Sequence, residues 1–349
     1  MKSPIPSPIT VSSSATLHLA DRSLWRRWLE RLGPLLALVV VTLGFAIADQ
    51  VWGQGRFVEF RNVRVVLVFA APVAVAALGM TLIVMTGGID LSAGTASMLC
   101  ATVLACALNA NFSIVPALIL AVGTGAACGL LNGLFIGVLR IAPFIVTLGS
   151  MTIFVGIAKH LAGSSTVFVD TARIPQWLSK FTSTAPPHWL GWFPNIPSGV
   201  WFAMLSAIIV AVVLHLTVFG RHVQAVGSNE ATARLCGVNV FATKVWVYAL
   251  GGILFGIAGV YSFSLLRMAN PTEGIGKELK FIAAVVIGGG SLSGGRGSVL
   301  GTLAGAAIMG VISSGCDQLG VKNATQDIII GVIIIAAVTL DQLRSRRAV

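Results

Sequence analysis

The chain has 349 residues, of which 56% are hydrophobic and 10% are charged, and its mean hydropathy is +0.91. Soluble domains carry about 25% charged residues, so this composition excludes an ordinary soluble domain and indicates an all-α polytopic membrane protein. The formal net charge of +11 does not indicate nucleic-acid binding, because the basic residues mostly flank apolar segments and form no stripe with interleaved aromatic residues.

The apolar segments predict about ten transmembrane helices, since one span needs about 20 mainly apolar residues. The candidate spans are residues 33–49, 62–86, 92–110, 113–138, 143–162, 199–219, 244–266, 278–290, 296–315 and 325–342. A polar tail, residues 1–32, precedes this transmembrane domain of residues 33–343, and a basic tail, residues 344–349, follows it. An even number of spans places both basic ends on one side, which predicts cytoplasmic termini.

Two near-copies of one short motif interrupt the apolar pattern. The first runs Gly87-Gly88-Ile89-Asp90-Leu91-Ser92-Ala93-Gly94, and the second runs Gly288-Gly289-Gly290-Ser291-Leu292-Ser293-Gly294-Gly295. Each glycine weakens a helix by roughly 1 kcal/mol relative to Ala, so both motifs predict helix breaks. Non-helical backbone at membrane depth is tolerated where it is buried in protein or lines a water-filled cavity, so paired breaks favour a transport pathway over ordinary loops. Because six spans separate the copies, we expect a parallel repeat.

Two long polar loops separate the later spans. Residues 163–198, predicted outside, contain Trp177, Trp189 and Trp192, which are typical of an interfacial belt or of a docking surface for an external partner. Residues 220–243, predicted inside, contain a short capped helix. Ser228 or Asn229 can cap it, and Glu230 can pair with Arg234 one turn later. The alternatives are a helix that a partner grips and a solvated connector.

Small-residue repeats within the spans predict close helix packing, either within one subunit or between subunits. They are Gly129-x-x-x-Gly133-x-x-x-Gly137, Gly252-x-x-x-Gly256 and Gly301-x-x-x-Gly305. The five cysteines show no Cys-x-x-Cys spacing and indicate packing instead of disulfides or a zinc site. No phosphate-binding loop, metal-type histidine pairing or nucleophile–base constellation occurs in the sequence. We therefore expect a chain that is not an enzyme and holds no cofactor of its own.

Several blocks together resemble the sugar-type permease subunit of bacterial ABC importers, the family with ribose, xylose and galactoside permeases. The similar blocks are residues 87–94, Asn132-Gly133, residues 143–151, residues 230–237, and residues 276–284 leading into 288–295. The resemblance covers most of residues 62–343. Lys277, Lys280 and the loop 163–198 depart from the family pattern, all on the predicted outer side.

The resemblance implies a ten-helix permease in the bacterial inner membrane that pairs as a dimer, most simply a homodimer. It also implies cytoplasmic subunits that bind ATP and Mg²⁺, and a periplasmic sugar-binding protein. The loop 220–243 would carry the coupling helix that docks on the ATPase. The residues that would make this link are Glu230, Ala231, Arg234 and Gly237.

Polar groups within the spans are candidates for the pathway or its gate. Sugar hydroxyls need neutral donors and acceptors, although such groups also form hydrogen bonds between helices. Asp90 can line a gate or cap the helix that starts near Ser92. Glu278, at the outer mouth of the eighth span, can pair with Lys277, Lys280 or a partner, or remain a solvated charge. The full candidate set is Gly87, Gly88, Asp90, Ser92, Asn132, Thr147, Ser150, Glu278, Gly288, Gly289, Ser291 and Ser293.

The sequence thus predicts the permease subunit of an ATP-driven monosaccharide importer, powered by a separate ATP-binding subunit. A branched-chain amino-acid permease of the same superfamily, an ion-coupled secondary transporter and a membrane scaffold are the alternatives.

Overall fold

The computed structural model describes residues 13–183 and 196–346, and it describes only the backbone of residues 13–31, 337 and 340–346. Trp189 and Trp192 lie outside the described residues. The helices, numbered in chain order, are α1 Ser13–Trp52, α2 Phe60–Met85, α3 Ala93–Asn109, α4 Ile114–Leu139, α5 Pro143–Leu161, α6 Gln176–Ser179, α7 Ser198–Leu216, α8 Val218–Ser228, α9 Glu230–Leu235, α10 Val240–Leu266, α11 Lys277–Ile287, α12 Val299–Gln318 and α13 Asn323–Arg346. Two short strands, β1 (Val167–Phe168) and β2 (Met268–Ala269), pair antiparallel.

Each of the ten predicted spans falls on a helix, which confirms an all-α polytopic membrane protein. Within the described residues, 7 helices are long and apolar enough to cross a membrane. Helix α11 has only 11 residues, so at 1.5 Å per residue it reaches about half of a 30 Å hydrocarbon core. The number of crossings therefore stays a prediction.

The first span is part of a longer helix than the sequence pattern indicated. Helix α1 begins at Ser13, inside the predicted polar tail, and passes through Pro34. Its apolar part, Leu32–Trp52, is almost entirely unburied by the rest of the chain. Ala37, Leu38, Val41 and Phe45 pack against the core. The ring of Phe45 lies against Gly315 of α12 and stacks on Phe57 with ring centroids 6.0 Å apart.

Helices α2, α10 and α12 form the centre of the bundle. Most side chains of all three are buried, and the stretch Val75–Val84 of α2 is closed to solvent almost throughout. Short side chains make this packing possible, because α2 places five alanines in the core over residues 70–71 and 74–77. The candidate site begins where α2 ends, at Met85.

The predicted glycine repeats bring helices of the same chain together. A methyl group built on Gly133 of α4 would lie 2.9 Å from the Cα of Val245 in α10, and one built on Gly252 would lie 2.9 Å from the Cα of Gly129. Gly301 and Gly305 of α12 face the backbone of α11 in the same manner. The prediction of close packing is confirmed, and these contacts lie within the subunit.

We expect Gly129→Ala to lower the free energy of unfolding by about 1–3 kcal/mol, because the added methyl group overlaps the backbone of Tyr248 and must push α4 from α10. Gly123→Ala, on the same helix, adds its methyl group to open space. That control should gain up to about 1 kcal/mol from helix propensity. Thermal unfolding in detergent measures both variants, and equal midpoints would contradict the packing argument.

Candidate functional site

Both glycine motifs end a helix in the same way. In the first, α2 stops at Met85, Gly87 adopts a positive φ of 77°, and the amides of Gly87 and Gly88 donate to the carbonyls of Val84 and Ile83. In the second, Gly289 has a φ of 88°, and the amides of Gly289 and Gly290 donate to Val286 and Val285. These are two Schellman ends, which only glycine adopts without steric cost. The predicted helix breaks are confirmed, and the sequence copies are also structural copies.

The two glycine turns contact each other, although about 200 residues separate them. The amide of Gly295 donates a hydrogen bond to the carbonyl of Met85 at 3.0 Å. A methyl group built on Gly294 would lie 3.0 Å from the nitrogen of Gly87. Within the second turn, Ser291 is buried and Ser293 is exposed, while Gly288 packs on Gly301. The sequence pattern gave no sign of this direct contact.

A buried polar cluster follows the first turn. It consists of Asp90 and Ser92, which precede α3, together with Asn132 of α4 and Thr147 and Ser150 of α5. All five were pathway candidates, and the structure brings them together. They lie on three different segments, so the cluster connects the turn between α2 and α3 with α4 and α5.

Hydrogen bonds join four side chains of the buried polar cluster in series, namely Asp90, Ser92, Asn132 and Ser150. The nitrogen and Oγ of Ser92 donate to Asp90 Oδ1 at 2.8 and 2.6 Å. Asn132 Nδ2 donates to Ser92 Oγ at 2.9 Å, and Ser150 Oγ donates to Asn132 Oδ1 at 2.5 Å. Thr147 Oγ1 accepts from the amide of Leu91 at 3.1 Å. In this conformation each of the five side chains has a hydrogen-bond partner within the protein, so contact with a substrate stays a prediction.

Asp90 holds the start of α3 by an interaction close to the predicted cap. Its carboxylate accepts the amide of Ser92, the N-cap residue of a helix with no cap bond from the Ser92 side chain. First-turn amides lack partners within a helix, and an anion there is also favoured by the helix dipole. The structure therefore gives Asp90 a clear structural role.

Tyr248 of α10 belongs to the same region, and the sequence reasoning did not single it out. Its side chain is buried, and its hydroxyl has no hydrogen-bond partner among the described residues. A methyl group built on Gly88 would lie 2.6 Å from this hydroxyl, so Tyr248 faces the backbone of the first turn. The available signal was its rarity, because the chain has only 2 tyrosines.

Glu278 is buried, which excludes the alternative of a solvated charge. Its two carboxylate oxygens accept from the amide of Gly276 at 3.0 and 3.1 Å, whereas Lys277 pairs with Glu273 at 3.1 Å. A methyl group built on Gly94 would lie 2.5 Å from Glu278 Oε2. The carboxylate thus lies between the N-termini of α3 and α11, where both helix dipoles favour an anion.

The predicted loop 220–243 contains most of α8, all of α9 and the first turn of α10, where the sequence predicted one short helix. Asn229 caps α9, since its Oδ1 accepts from the amide of Thr232 at 2.9 Å, and the alternative cap, Ser228, is the last residue of α8. Gly237, with a φ of 81°, ends α9 as predicted. The valines Val223 and Val226, both buried and three residues apart, were the available signal for α8.

Glu230 lies between two cations. It pairs with Arg234 at 3.0 Å, as predicted, and also with Lys244 of α10 at 2.7 Å. The two ion pairs differ in exposure, because the Lys244 side chain is 18% exposed and that of Arg234 is 54% exposed. The pKa of the Glu230 carboxyl lies below its ordinary value, since Lys244 donates a hydrogen bond to it and both cations attract the charged form. These contacts fix α9 against the start of α10.

The chain is similar to transport permeases along most of its length. A family model described as "Branched-chain amino acid transport system / permease component" matches residues 62–338. The ribose import permease protein of Bacillus subtilis is 37% identical over 318 residues, covering 91% of this chain and 94% of the relative. The galactose/methyl galactoside import permease protein of Escherichia coli is 34% identical over 88% of this chain and 94% of its own length. The fructose import permease protein of Rhizobium meliloti is 34% identical over 88% and 84%. No solved structure matches the chain.

Proposed function

This chain belongs to the family of transport-system permease components, and from that membership we propose that it is the membrane-spanning subunit of an ATP-driven importer. Its cargo is a monosaccharide, a pentose or a hexose, which it moves across the bacterial inner membrane. The observation that carries the proposal is similarity along almost the whole chain to import permeases named for ribose, galactose and fructose.

A sugar fits this chain better than a branched-chain amino acid, although the family description names the latter. The relatives that carry sugar names are 34–37% identical to this chain. In addition, four of the five side chains in the buried polar cluster are neutral hydroxyls or an amide, and these groups suit sugar hydroxyls. The single carboxylate, Asp90, is engaged by Ser92.

The energy for import comes from a separate cytoplasmic subunit that binds ATP and Mg²⁺, because this sequence contains no phosphate-binding loop. The geometry of α9 supports docking of that subunit on the loop 220–243. Leu235 is 89% exposed at the end of α9, and Ala231 is exposed as well. The ion pair of Glu230 with Lys244 holds α9 against α10. A short, firmly held helix that presents a large apolar side chain is suited to transmitting force from a partner.

The remaining parts of the assembly follow from the same proposal. A periplasmic binding protein delivers the sugar to the face that carries the loop 163–198, and both termini lie in the cytoplasm. Two copies of the permease line one pathway. Binding of ATP brings the two ATP-binding subunits together, moves the docked α9, and switches the pathway between outward and inward access.

Gentle purification of the tagged chain from its native membranes, followed by an assay of Mg-ATP hydrolysis, tests the proposal. We expect a co-purifying ATPase, and we expect cells to lose uptake of radiolabelled D-ribose, D-fructose or D-galactose when the chain is deleted. Uptake that persists without an ATPase and collapses with an uncoupler would favour the ion-coupled alternative. Uptake of labelled leucine would favour the amino-acid permease.

A further inference from the structure

Helix α8 ends against the hydrogen bond that joins the two glycine turns. A methyl group built on Gly227 would overlap the carbonyl oxygen of Met85 and would lie 2.6 Å from the nitrogen of Gly295. These are the two atoms of the hydrogen bond that links the first turn to the second. The contact of Gly227 with both turns is therefore made through backbone atoms.

Gly294 and Gly295 of the second turn also pack closely against the end of α8. A methyl group built on Gly294 would lie 2.6 Å from the carbonyl oxygen of Gly227, and one built on Gly295 would lie 2.9 Å from Ser228 Oγ. We call Gly87, Gly227, Gly294 and Gly295, with the carbonyl of Met85, the glycine junction. It has no flexible side chain between its parts, so little can absorb a displacement.

The glycine junction lies between two regions that the importer must connect. On one side, α8 leads through Asn229 directly into α9. On the other side, Gly87 lies three residues before Asp90, which accepts from Asn132 of α4 at 3.5 Å, and Asn132 in turn accepts from Ser150 of α5. Close-packed backbone is the kind of contiguous contact through which a displacement travels between sites.

We propose that Gly227 is a positioning residue that transmits movement of the loop 220–243 to both glycine turns at once, and through the first turn to the buried polar cluster. This inference rests on the proposed function, because it assumes that a docked ATPase moves the loop. It adds to the proposed function the contact through which movement of the loop 220–243 reaches the transmembrane helices. The junction moves as one unit.

The first test is Gly227→Ala in the purified complex and in whole cells. The variant should keep the co-purifying Mg-ATPase within about twofold of the unmodified complex, while uptake of D-ribose, D-fructose or D-galactose falls about tenfold. Loss of uptake per ATP hydrolysed is a readout that a merely structural role would not change. Gly123→Ala, which points into open space, serves as the matched control and should leave both activities unchanged.

The outcomes separate this inference from the proposed function. If the unmodified chain carries no ATPase, the proposed function fails. If the unmodified complex hydrolyses ATP and Gly227→Ala imports sugar normally, only this inference is overturned.

A measurement on the unmodified complex answers the case in which Gly227→Ala fails to assemble. The amide of Gly295, which donates to the carbonyl of Met85, reports on the junction by hydrogen exchange. Because the junction moves as one unit, this amide should stay protected to the same degree with and without Mg-ATP. A large rise in its exchange on addition of Mg-ATP would show that the two turns separate, and would overturn the inference.

Discussion

Glu230→Lys is expected to reduce sugar uptake about tenfold or more while the protein still inserts into the membrane. The introduced lysine would face Arg234 and Lys244, which now lie 3.0 and 2.7 Å from the carboxylate. Three cations would then meet where one anion holds α9 in place. Like charges at such separations repel, so α9 should detach from the start of α10 and lose its docking geometry.

The structure also predicts the order of effects among charge variants. Arg234→Glu should reduce uptake less than Glu230→Lys, because the Arg234 side chain is 54% exposed and leaves the pair of Glu230 with Lys244 in place. Adding Lys244→Glu to Glu230→Lys restores one ion pair with reversed polarity and should recover part of the uptake. Exposed ion pairs generally contribute little to stability. Uptake should therefore recover through the less exposed pair, which joins positions 230 and 244.

Uptake of labelled D-ribose, D-fructose and D-galactose, the amount of protein in the membrane fraction and co-purifying Mg-ATPase together measure this prediction. Glu59→Lys is the matched control, since it makes the same change of charge at an exposed position with no side-chain cap bond. Normal uptake by Glu230→Lys would show that the coupling link lies elsewhere.

Asp90→Ala is expected to lower the free energy of unfolding by about 2 kcal/mol or more and to abolish uptake. The change leaves the amide and hydroxyl of Ser92 without the acceptor they now share, inside a buried region. Each buried donor without a partner costs about 1–3 kcal/mol. The start of α3 and the link to Asn132 should loosen together.

Asp170→Ala is a close structural control, because Asp170 Oδ1 also accepts the amide two residues later, from Ala172 at 3.0 Å. Asp170 is exposed, so water replaces the lost acceptor and the change should cost about 1 kcal/mol or less. Thermal unfolding of both variants in detergent makes the comparison. Similar losses of stability would contradict the role of burial at Asp90.

Asp90→Asn distinguishes the capping role from a gating role. The amide oxygen can still accept from Ser92, so we expect stability within about 1 kcal/mol of the unmodified protein and most of the uptake retained. A stable Asp90→Asn variant without uptake would assign the negative charge itself to the gate.

The sequence by itself determined the class of protein, the positions of the apolar spans and the helix breaks. Apolar length and the clustered glycines act locally, since a span needs about 20 apolar residues and a glycine weakens its own turn. For the same reason a cap at Ser228 or Asn229, the ion pair of Glu230 with Arg234 and the stop at Gly237 were readable from spacing along one helix, and the structure selected Asn229 as the cap. The candidate polar residues were also identifiable, because hydroxyls, an amide and a carboxylate stand out within apolar spans.

Only the tertiary structure decided how these pieces meet. The hydrogen bond between Met85 and Gly295, the contact of Gly227 with both turns and the pairing of Lys244 with Glu230 join residues from different segments. The burial of Glu278 likewise depends on α3, whose first turn lies beside the start of α11. Periodicity and capping rules describe one segment at a time, whereas these contacts depend on how closely glycine backbones let separate helices approach.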